Sequence, residues 1–179
     1  RMKRALAIGC PGAGKSTFAR ALRDCTGLPL YYLDQIWHRP DGSSITPQAF
    51  DERLAEILAR ECWIIDGNYL RTLEPRLERC DTVFLLDYPT EVCLAGAAAR
   101  IGRPREDLPW TVQAFDPEFR QWIVDFPVTQ LPQILRLLER HQSERQTHIF
   151  RSREQAGAWL GQFGGLRHSS KARARRGEG

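Results

Sequence analysis

A glycine-rich segment near the start of the chain has the residue types and spacing that bind phosphate groups. Residues 9–16 read Gly-Cys-Pro-Gly-Ala-Gly-Lys-Ser and fit the pattern G-x-x-x-x-G-K-[ST] at every fixed position. Glycines let backbone N–H groups turn towards a phosphate, and a following helix adds free N–H groups and the positive end of its dipole. Lys15 would face the β- and γ-phosphates, and the Ser16 hydroxyl would bind Mg²⁺. The loop residues predicted to bind the nucleotide are Gly9, Pro11, Gly12, Ala13, Gly14, Lys15, Ser16 and Thr17.

Carboxylates at the ends of apolar runs are the next candidates, because a phosphate loop also needs an acidic group near its metal ion. Asp66 and Asp87 both follow such runs. Asp66 is the favoured metal-side carboxylate, since the Gly-Asn-Tyr turn after it allows close approach of the backbone to a ligand. Asp87 remains open as a cap of the next segment. Asp34, after another short apolar run, is predicted to face the acceptor substrate, with a simple turn role as the alternative.

The scaffold predicted for these residues alternates short apolar runs with amphipathic segments of helical length. Strands are predicted at residues 4–8, 30–33, 62–65, 82–86 and 147–150, and helices at about 15–25, 47–58, 91–101 and 154–163, with helical pieces to about 140 that break near Pro127 and Pro132. Apolar strands separated by helices indicate an α/β fold whose parallel sheet is covered on both faces. Ligands of such sheets bind beyond the carboxyl ends of the strands, where Gly9 and the three aspartates lie.

The composition fits a single domain. The chain has 179 residues, of which 42% are hydrophobic and 27% charged, as expected for a folded globular protein. No apolar stretch approaches the ~18 residues of a membrane span, and the first residues lack a signal-peptide pattern. The five cysteines form no C-x-x-C pair, so reduced thiols are favoured over a metal or disulfide site. We therefore expect a cytoplasmic protein without a membrane partner.

The net charge of +4 comes from the end of the chain. Residues 164–179 hold five basic residues and one acid, which leaves 21 basic and 21 acidic residues in 1–163. This glycine-, serine- and arginine-rich segment lacks apolar periodicity, which predicts a domain at 1–163 followed by a basic disordered tail. Contact of the tail with nucleic acid is one interpretation, and a solubilising role is the favoured one.

Four segments together resemble the adenylate-kinase-like P-loop kinases, and within them the DNA topology modulation proteins. The segments are residues 9–17, 33–34, 63–69 and 84–89, and the resemblance extends from about residue 2 to 163. It implies a three-layer P-loop NTPase fold with a five-stranded parallel sheet whose third strand lies beside the first. That arrangement would place Asp66 next to the phosphate loop. The resemblance also implies Mg²⁺ as cofactor and ATP as phosphoryl donor.

The resemblance further implies a lid between the fourth strand and the last helices. The proline-rich, charged residues 102–119 match such a lid. Arg100, Arg103 and Arg105 fall where these lids carry arginines that contact phosphates, although a solvated basic turn is the alternative interpretation. Arg151 and Ser152, which follow the last strand, would lie near the adenine.

Gly96 departs from that family pattern. Kinases of this type commonly have an arginine seven residues after the proline that ends the fourth strand, which is Pro89 in this chain. An arginine that stacks on adenine or belongs to the lid would therefore be missing. Residues 35–39 also lack an obvious nucleoside-monophosphate pattern, so the acceptor need not be a nucleotide.

The sequence thus predicts a kinase that transfers the γ-phosphoryl group of Mg-ATP to an unspecified small-molecule or nucleotide acceptor. Lys15 and the lid arginines Arg100 and Arg103 would neutralise developing charge. Ser16 and Asp66 would hold the metal, and Asp34 would orient or deprotonate an acceptor hydroxyl. Two alternatives remain: a regulator associated with nucleic acid, which the basic tail favours, and a nucleotide-binding protein with little turnover, which Gly96 favours.

Overall fold

Five parallel strands form one sheet in the centre of the molecule. The computed structural model describes residues 1–176, without the side chains of 166–170, 172 and 176. The strands are β1 (Arg4–Gly9), β2 (Leu30–Tyr32), β3 (Trp63–Asp66), β4 (Thr82–Leu86) and β5 (Gln146–Phe150). Their order is β2-β3-β1-β4-β5, and every neighbouring pair is parallel. The third strand therefore lies beside the first, and the predicted five-stranded parallel sheet is confirmed.

Eight helices connect or follow the strands in the described residues. They are α1 (Lys15–Thr26), α2 (Leu33–Trp37), α3 (Pro47–Leu58), α4 (Leu73–Arg79), α5 (Thr90–Ala99), α6 (Pro117–Thr129), α7 (Leu131–Arg140) and α8 (Arg153–Arg176), with 3₁₀ turns at Leu70–Thr72 and Gln142–Glu144. Helix α1 packs against α8, and α4 packs against α7. These pairs lie on opposite faces of the sheet, as right-handed crossovers require, which gives three layers.

The central strands carry the core. Every residue of β3 and β4 is buried, and so are the last five residues of β1. Strands that are covered by helices on both faces of the sheet need apolar side chains on each face. This explains the unbroken apolar runs of these strands. The short helix α4 was not among the predicted elements, and its apolar positions Leu73 and Leu77 pack into the same core.

Two boundaries differ from the sequence prediction. Pro127 lies inside α6, so the break predicted there is wrong, whereas the break predicted near Pro132 is present: the chain breaks at Gln130, and Pro132 lies in the first turn of α7. Proline is favoured in the first turn of a helix because the amide hydrogen that it lacks has no partner there. Helix α8 continues to Arg176, so the part of 164–179 that the structure describes is helical where the sequence predicted disorder. The division at residue 163 stays a prediction.

The connection between α5 and α6 is the longest stretch without helix or strand, and we call residues 100–116 the lid segment. It overlaps the lid predicted at 102–119. It ends before residue 119 because α6 begins at Pro117, with Asp116 as its N-cap. In the described part of the chain, no helix combines the length and the apolar character that crossing a membrane would require.

Candidate functional site

The phosphate loop joins β1 to α1 and is packed directly against α5. Gly12 has a φ angle of 86°, and a Cβ there would lie 2.0 Å from the carbonyl oxygen of Cys93. A Cβ on Gly96 would lie 2.0 Å from the carbonyl oxygen of Gly12. No real Cβ approaches an oxygen so closely, so the loop and the helix touch only because both residues are glycine.

This contact explains why the chain has a glycine at position 96. An arginine at this position cannot be placed while α5 lies against the loop, since its first side-chain atom would overlap the Gly12 backbone. A different arginine comes close instead: Nη2 of Arg153, at the start of α8, is 3.0 Å from the position of the absent Cβ. The close contact between the phosphate loop and α5 therefore requires glycine, and excludes arginine, at position 96.

Ser16 and Asp66 meet at the buried edge of the loop. The Ser16 hydroxyl donates a hydrogen bond of 2.6 Å to Oδ2 of Asp66. Asp66 is placed by β3, where it is paired in register with Ala7 of β1. Burial raises the pKa of Asp66, while Lys15 and the Ser16 hydrogen bond act in the opposite direction. A carboxylate and a hydroxyl side by side are oxygen donors of the type that Mg²⁺ prefers.

Asp87, the alternative carboxylate, follows β4 and has a different partner. It forms an ion pair with Arg151 and lines neither of the two cavities described below. The structure therefore joins Asp66, and not Asp87, to the Ser16 hydroxyl of the phosphate loop.

Two residues that hold the loop were not among the predicted site residues. Asn68 accepts a hydrogen bond of 3.0 Å from the Gly9 N–H and donates one of 2.7 Å to the Gly9 carbonyl. The fully buried Arg76 donates to the carbonyls of Gly67 at 2.9 Å and Tyr69 at 3.2 Å, and also to that of Asn68. Burial lowers the pKa of Arg76.

A signal for each of these residues exists in the sequence. Asn68 belongs to the Asp-Gly-Asn-Tyr segment that carries the family resemblance. Arg76 lies on the same face of α4 as the buried Leu73 and Leu77. An arginine is almost never buried unless its guanidinium is paired, so its place on an apolar helix face indicates a structural role.

A cavity of about 730 Å³ opens beyond the carboxyl ends of the strands. The predicted site residues that line it are Pro11, Gly12, Lys15, Ser16, Asp34, Asp66, Arg100 and Arg105. Oδ1 of Asp34 accepts a hydrogen bond of 2.6 Å from the Tyr69 hydroxyl, which holds that carboxylate in the wall of the cavity. The cavity thus brings together cations from the loop and the lid segment with two carboxylates from strand ends.

A second cavity of about 350 Å³ lies on the other side of the loop, between α1, α5 and α8. It is lined by loop residues 12–14, by Thr17, and by Arg153 from α8. Gly12 and Arg100 line both cavities, so the two spaces meet at the phosphate loop.

Four predicted residues lie outside both cavities. Arg103 is exposed on the lid segment, and Gly9 is covered by Asn68. Arg151 pairs with Asp87, and the Ser152 hydroxyl accepts a hydrogen bond of 3.2 Å from the Gln155 N–H at the start of α8. The residue beside them, Arg153, is the one that reaches the smaller cavity.

Two acidic residues hold the lid segment, one by a contact within it and one by contacts to α1 and β2. Arg105 donates to both oxygens of Asp107, at 3.1 and 2.6 Å, and this pair is mostly buried. The Glu106 carboxylate accepts hydrogen bonds from Arg23, at 3.1 Å, and from the Tyr32 hydroxyl. Burial lowers the pKa of Arg100. Arg100 forms no ion pair with any residue that the structure describes.

The sheet order and the phosphate loop define an α/β fold of the P-loop NTPase type. Two solved structures share it. Shikimate kinase from Acinetobacter baumannii in complex with shikimate is 19% identical, with a TM-score of 0.58 and coverage of 95% of each chain. Shikimate kinase from Bacteroides thetaiotaomicron is 19% identical, with a TM-score of 0.55 and coverage of 94% of this chain and 99% of that one. No family model and no curated protein matches the sequence.

Proposed function

We propose that the protein is a Mg-ATP-dependent kinase that phosphorylates a small acceptor molecule. The observation that carries the proposal is the Ser16–Asp66 hydrogen bond of 2.6 Å at the base of the phosphate loop. It joins a hydroxyl and a carboxylate beside Lys15 in a cavity that also holds Asp34. The solved structures of shikimate kinases with this fold support the same reaction class.

The nucleotide would lie across the loop, with its phosphates on the backbone N–H groups and Lys15. The smaller cavity would take the base. Its exposed lining includes the guanidinium of Arg153, a planar cation that can stack on an aromatic ring. We therefore assign Arg153 the contact with adenine for which the sequence suggested Arg151 and Ser152.

The metal would be held by Ser16 and Asp66. These two oxygen donors would keep a divalent cation beside the phosphates, where it would supply positive charge against the charge that develops in phosphoryl transfer. Arg100 borders both cavities and has no ion-pair partner among the described residues, and it would approach the same phosphates from the lid side.

The acceptor would occupy the larger cavity, with its hydroxyl near Asp34. The Tyr69 hydrogen bond leaves Oδ2 of Asp34 available to accept from that hydroxyl. Positioning and electrostatics contribute most of the catalysis in phosphoryl transfer. A carboxylate held in place beside the phosphate loop can therefore support the reaction. A membership in the DNA topology modulation proteins remains part of this proposal and rests on the sequence resemblance.

The two alternative functions receive less support. The low-turnover interpretation rested on Gly96, and the packing of Gly96 against Gly12 now accounts for that residue. The nucleic-acid interpretation rests on the basic residues after 164, and the two solved structures that share the fold are shikimate kinases.

The test is a screen for acceptor-dependent ADP release, with phosphorylated products identified by mass spectrometry. The panel contains nucleosides, nucleoside monophosphates, sugars and small hydroxy acids. Lys15→Ala should abolish turnover and weaken ATP binding, because it removes the cation that faces the phosphates. Cys10→Ser is the matched control in the same loop, since Cys10 lines neither cavity, and it should remain active. Tight ATP binding with no transfer to any acceptor would contradict the proposal.

A further inference from the structure

Ring side chains form the part of the larger cavity that is built by the lid segment and its neighbours. They are His38, Tyr69, Trp110, Phe115, Phe119 and Trp122. Phe119 and Trp122 on α6 are 39% and 46% exposed, although both are large apolar residues that a core would normally cover. Exposed aromatic faces that converge on a concave site are binding surfaces for planar or apolar ligand groups.

The cations that line the larger cavity are assigned to ATP or have an acidic partner. Lys15 belongs to the phosphate loop, and Arg100, which also borders the smaller cavity, is assigned above to the ATP phosphates. Arg105 directs two of its N–H groups at Asp107, whose charge balances its own. Among the described residues that line this cavity, no further lysine or arginine is present to meet an anion on the acceptor.

The acidic groups on this side point to the same conclusion. Asp34 and Asp116 both line the cavity. A carboxylate or phosphate on the bound acceptor would lose its hydration and meet these like charges without a compensating cation, which is unfavourable. A neutral compound would suffer neither cost, and its ring would contact the exposed aromatic faces.

We propose that the acceptor is an uncharged compound with a planar unsaturated ring and a free hydroxyl group, of which nucleosides are one example. This inference rests on the proposed kinase function. The hydroxyl oxygen attacks the γ-phosphorus and forms the new P–O bond, while the bond from that phosphorus to the β–γ bridging oxygen breaks. ADP leaves with the electron pair of that bond, and the hydroxyl proton passes to Asp34.

The first test uses pairs of compounds that share a ring and differ in charge. The pairs are adenosine and AMP, uridine and UMP, and pyridoxine and 4-pyridoxate, with glucose as a neutral compound without a planar ring and shikimate as a non-aromatic carboxylate. We measure phosphoryl transfer from Mg-ATP, and binding by calorimetry with Mg-ADP present. In at least one pair the neutral member should bind and react at least about tenfold better than its charged partner and than glucose.

The second test changes the ring surface. Trp122→Leu should raise KM for the neutral acceptor about tenfold, the usual loss when a stacking contact is removed, with KM for ATP unchanged. Trp122→Phe should retain most of the affinity because it keeps an aromatic face. Val128→Ala is the matched control, since Val128 is exposed on the same helix and lies outside both cavities.

The outcomes separate the two proposals. A preference for the charged member of every pair, or equal binding of glucose, would overturn the acceptor class and leave the kinase function intact. Absence of transfer to every compound would contradict the kinase function. Calorimetric binding would then still show whether the cavity prefers neutral to charged compounds, because binding does not require turnover.

Discussion

The two ends of the larger cavity are built in different ways. At the phosphate loop, the polar groups are fixed by buried partners: Asn68 holds both backbone groups of Gly9, and Arg76 holds the turn that carries Asn68. At the lid end, Asp107 is the one buried residue of the described segment 100–116, and Phe119 and Trp122 face solvent. The difference indicates that the phosphate site is organised before ligands bind, whereas the acceptor site gains much of its burial from the ligand.

The largest effect that this comparison predicts is on turnover. Arg100→Ala should slow a single turnover by roughly 10³-fold, the scale of arginines that act on the transferring group. ATP affinity should fall by less than about tenfold, since the loop and Lys15 already hold the ground-state phosphates. A binding titration and a single-turnover assay on the same variant provide the two measurements.

Arg103→Ala is the control for Arg100, because Arg103 lies on the same segment outside both cavities. It should react at the parent rate. Equal slowing in the two variants would indicate that Arg100 acts through the general charge of the lid segment, and unchanged rates in both would remove these arginines from the mechanism.

A smaller effect is expected on stability. Arg76→Leu keeps the helix face apolar but leaves the carbonyls of Gly67 and Asn68 without their donor, which should lower the free energy of unfolding by about 3 kcal/mol. Urea unfolding measures this change. Arg79→Leu alters an exposed arginine of the same helix and should change stability by less than about 0.5 kcal/mol. Similar values for the two variants would show that Arg76 does not organise the loop.

The smallest of the three effects concerns the contact between α5 and the loop. Gly96→Ala adds a Cβ that overlaps the Gly12 carbonyl, so the loop must shift and ATP affinity should fall about tenfold. Gly161→Ala is the matched control, since a Cβ there meets nothing within 4 Å and Gly161 lies outside both cavities. The control should leave ATP affinity unchanged and stabilise α8 by about 0.5–1 kcal/mol. If Gly96→Ala binds ATP like the parent, the close packing does not shape the site.

The sequence was most informative where function depends on neighbours along the chain. Lys15 and Ser16 belong to one contiguous motif, and Asp66 was identified because it ends a strand. Arg153 could not be placed in the same way, because its proximity to Gly96 depends on how α8 packs beside α5. The lid end of the cavity could not be predicted from the sequence either. Trp122 lies on α6, and the sequence pattern of that helix does not reveal that the Trp122 ring lines a cavity. The Arg105–Asp107 pair also removes a cation that the sequence counted as free.

The central claim is that Ser16 and Asp66 form the metal side of an ATP site, and Mg²⁺-dependent nucleotide binding tests it most directly. Calorimetric titration of a non-hydrolysable ATP analogue, with Mg²⁺ or with EDTA, is performed on the parent, Asp66→Asn and Asp87→Asn. Asp66→Asn keeps the shape of the side chain but removes the charge that holds the cation. We predict that it loses the gain in affinity from Mg²⁺ and keeps metal-free binding, while Asp87→Asn behaves like the parent. Loss of the Mg²⁺ effect in Asp87→Asn, together with a parent-like response in Asp66→Asn, would contradict the account.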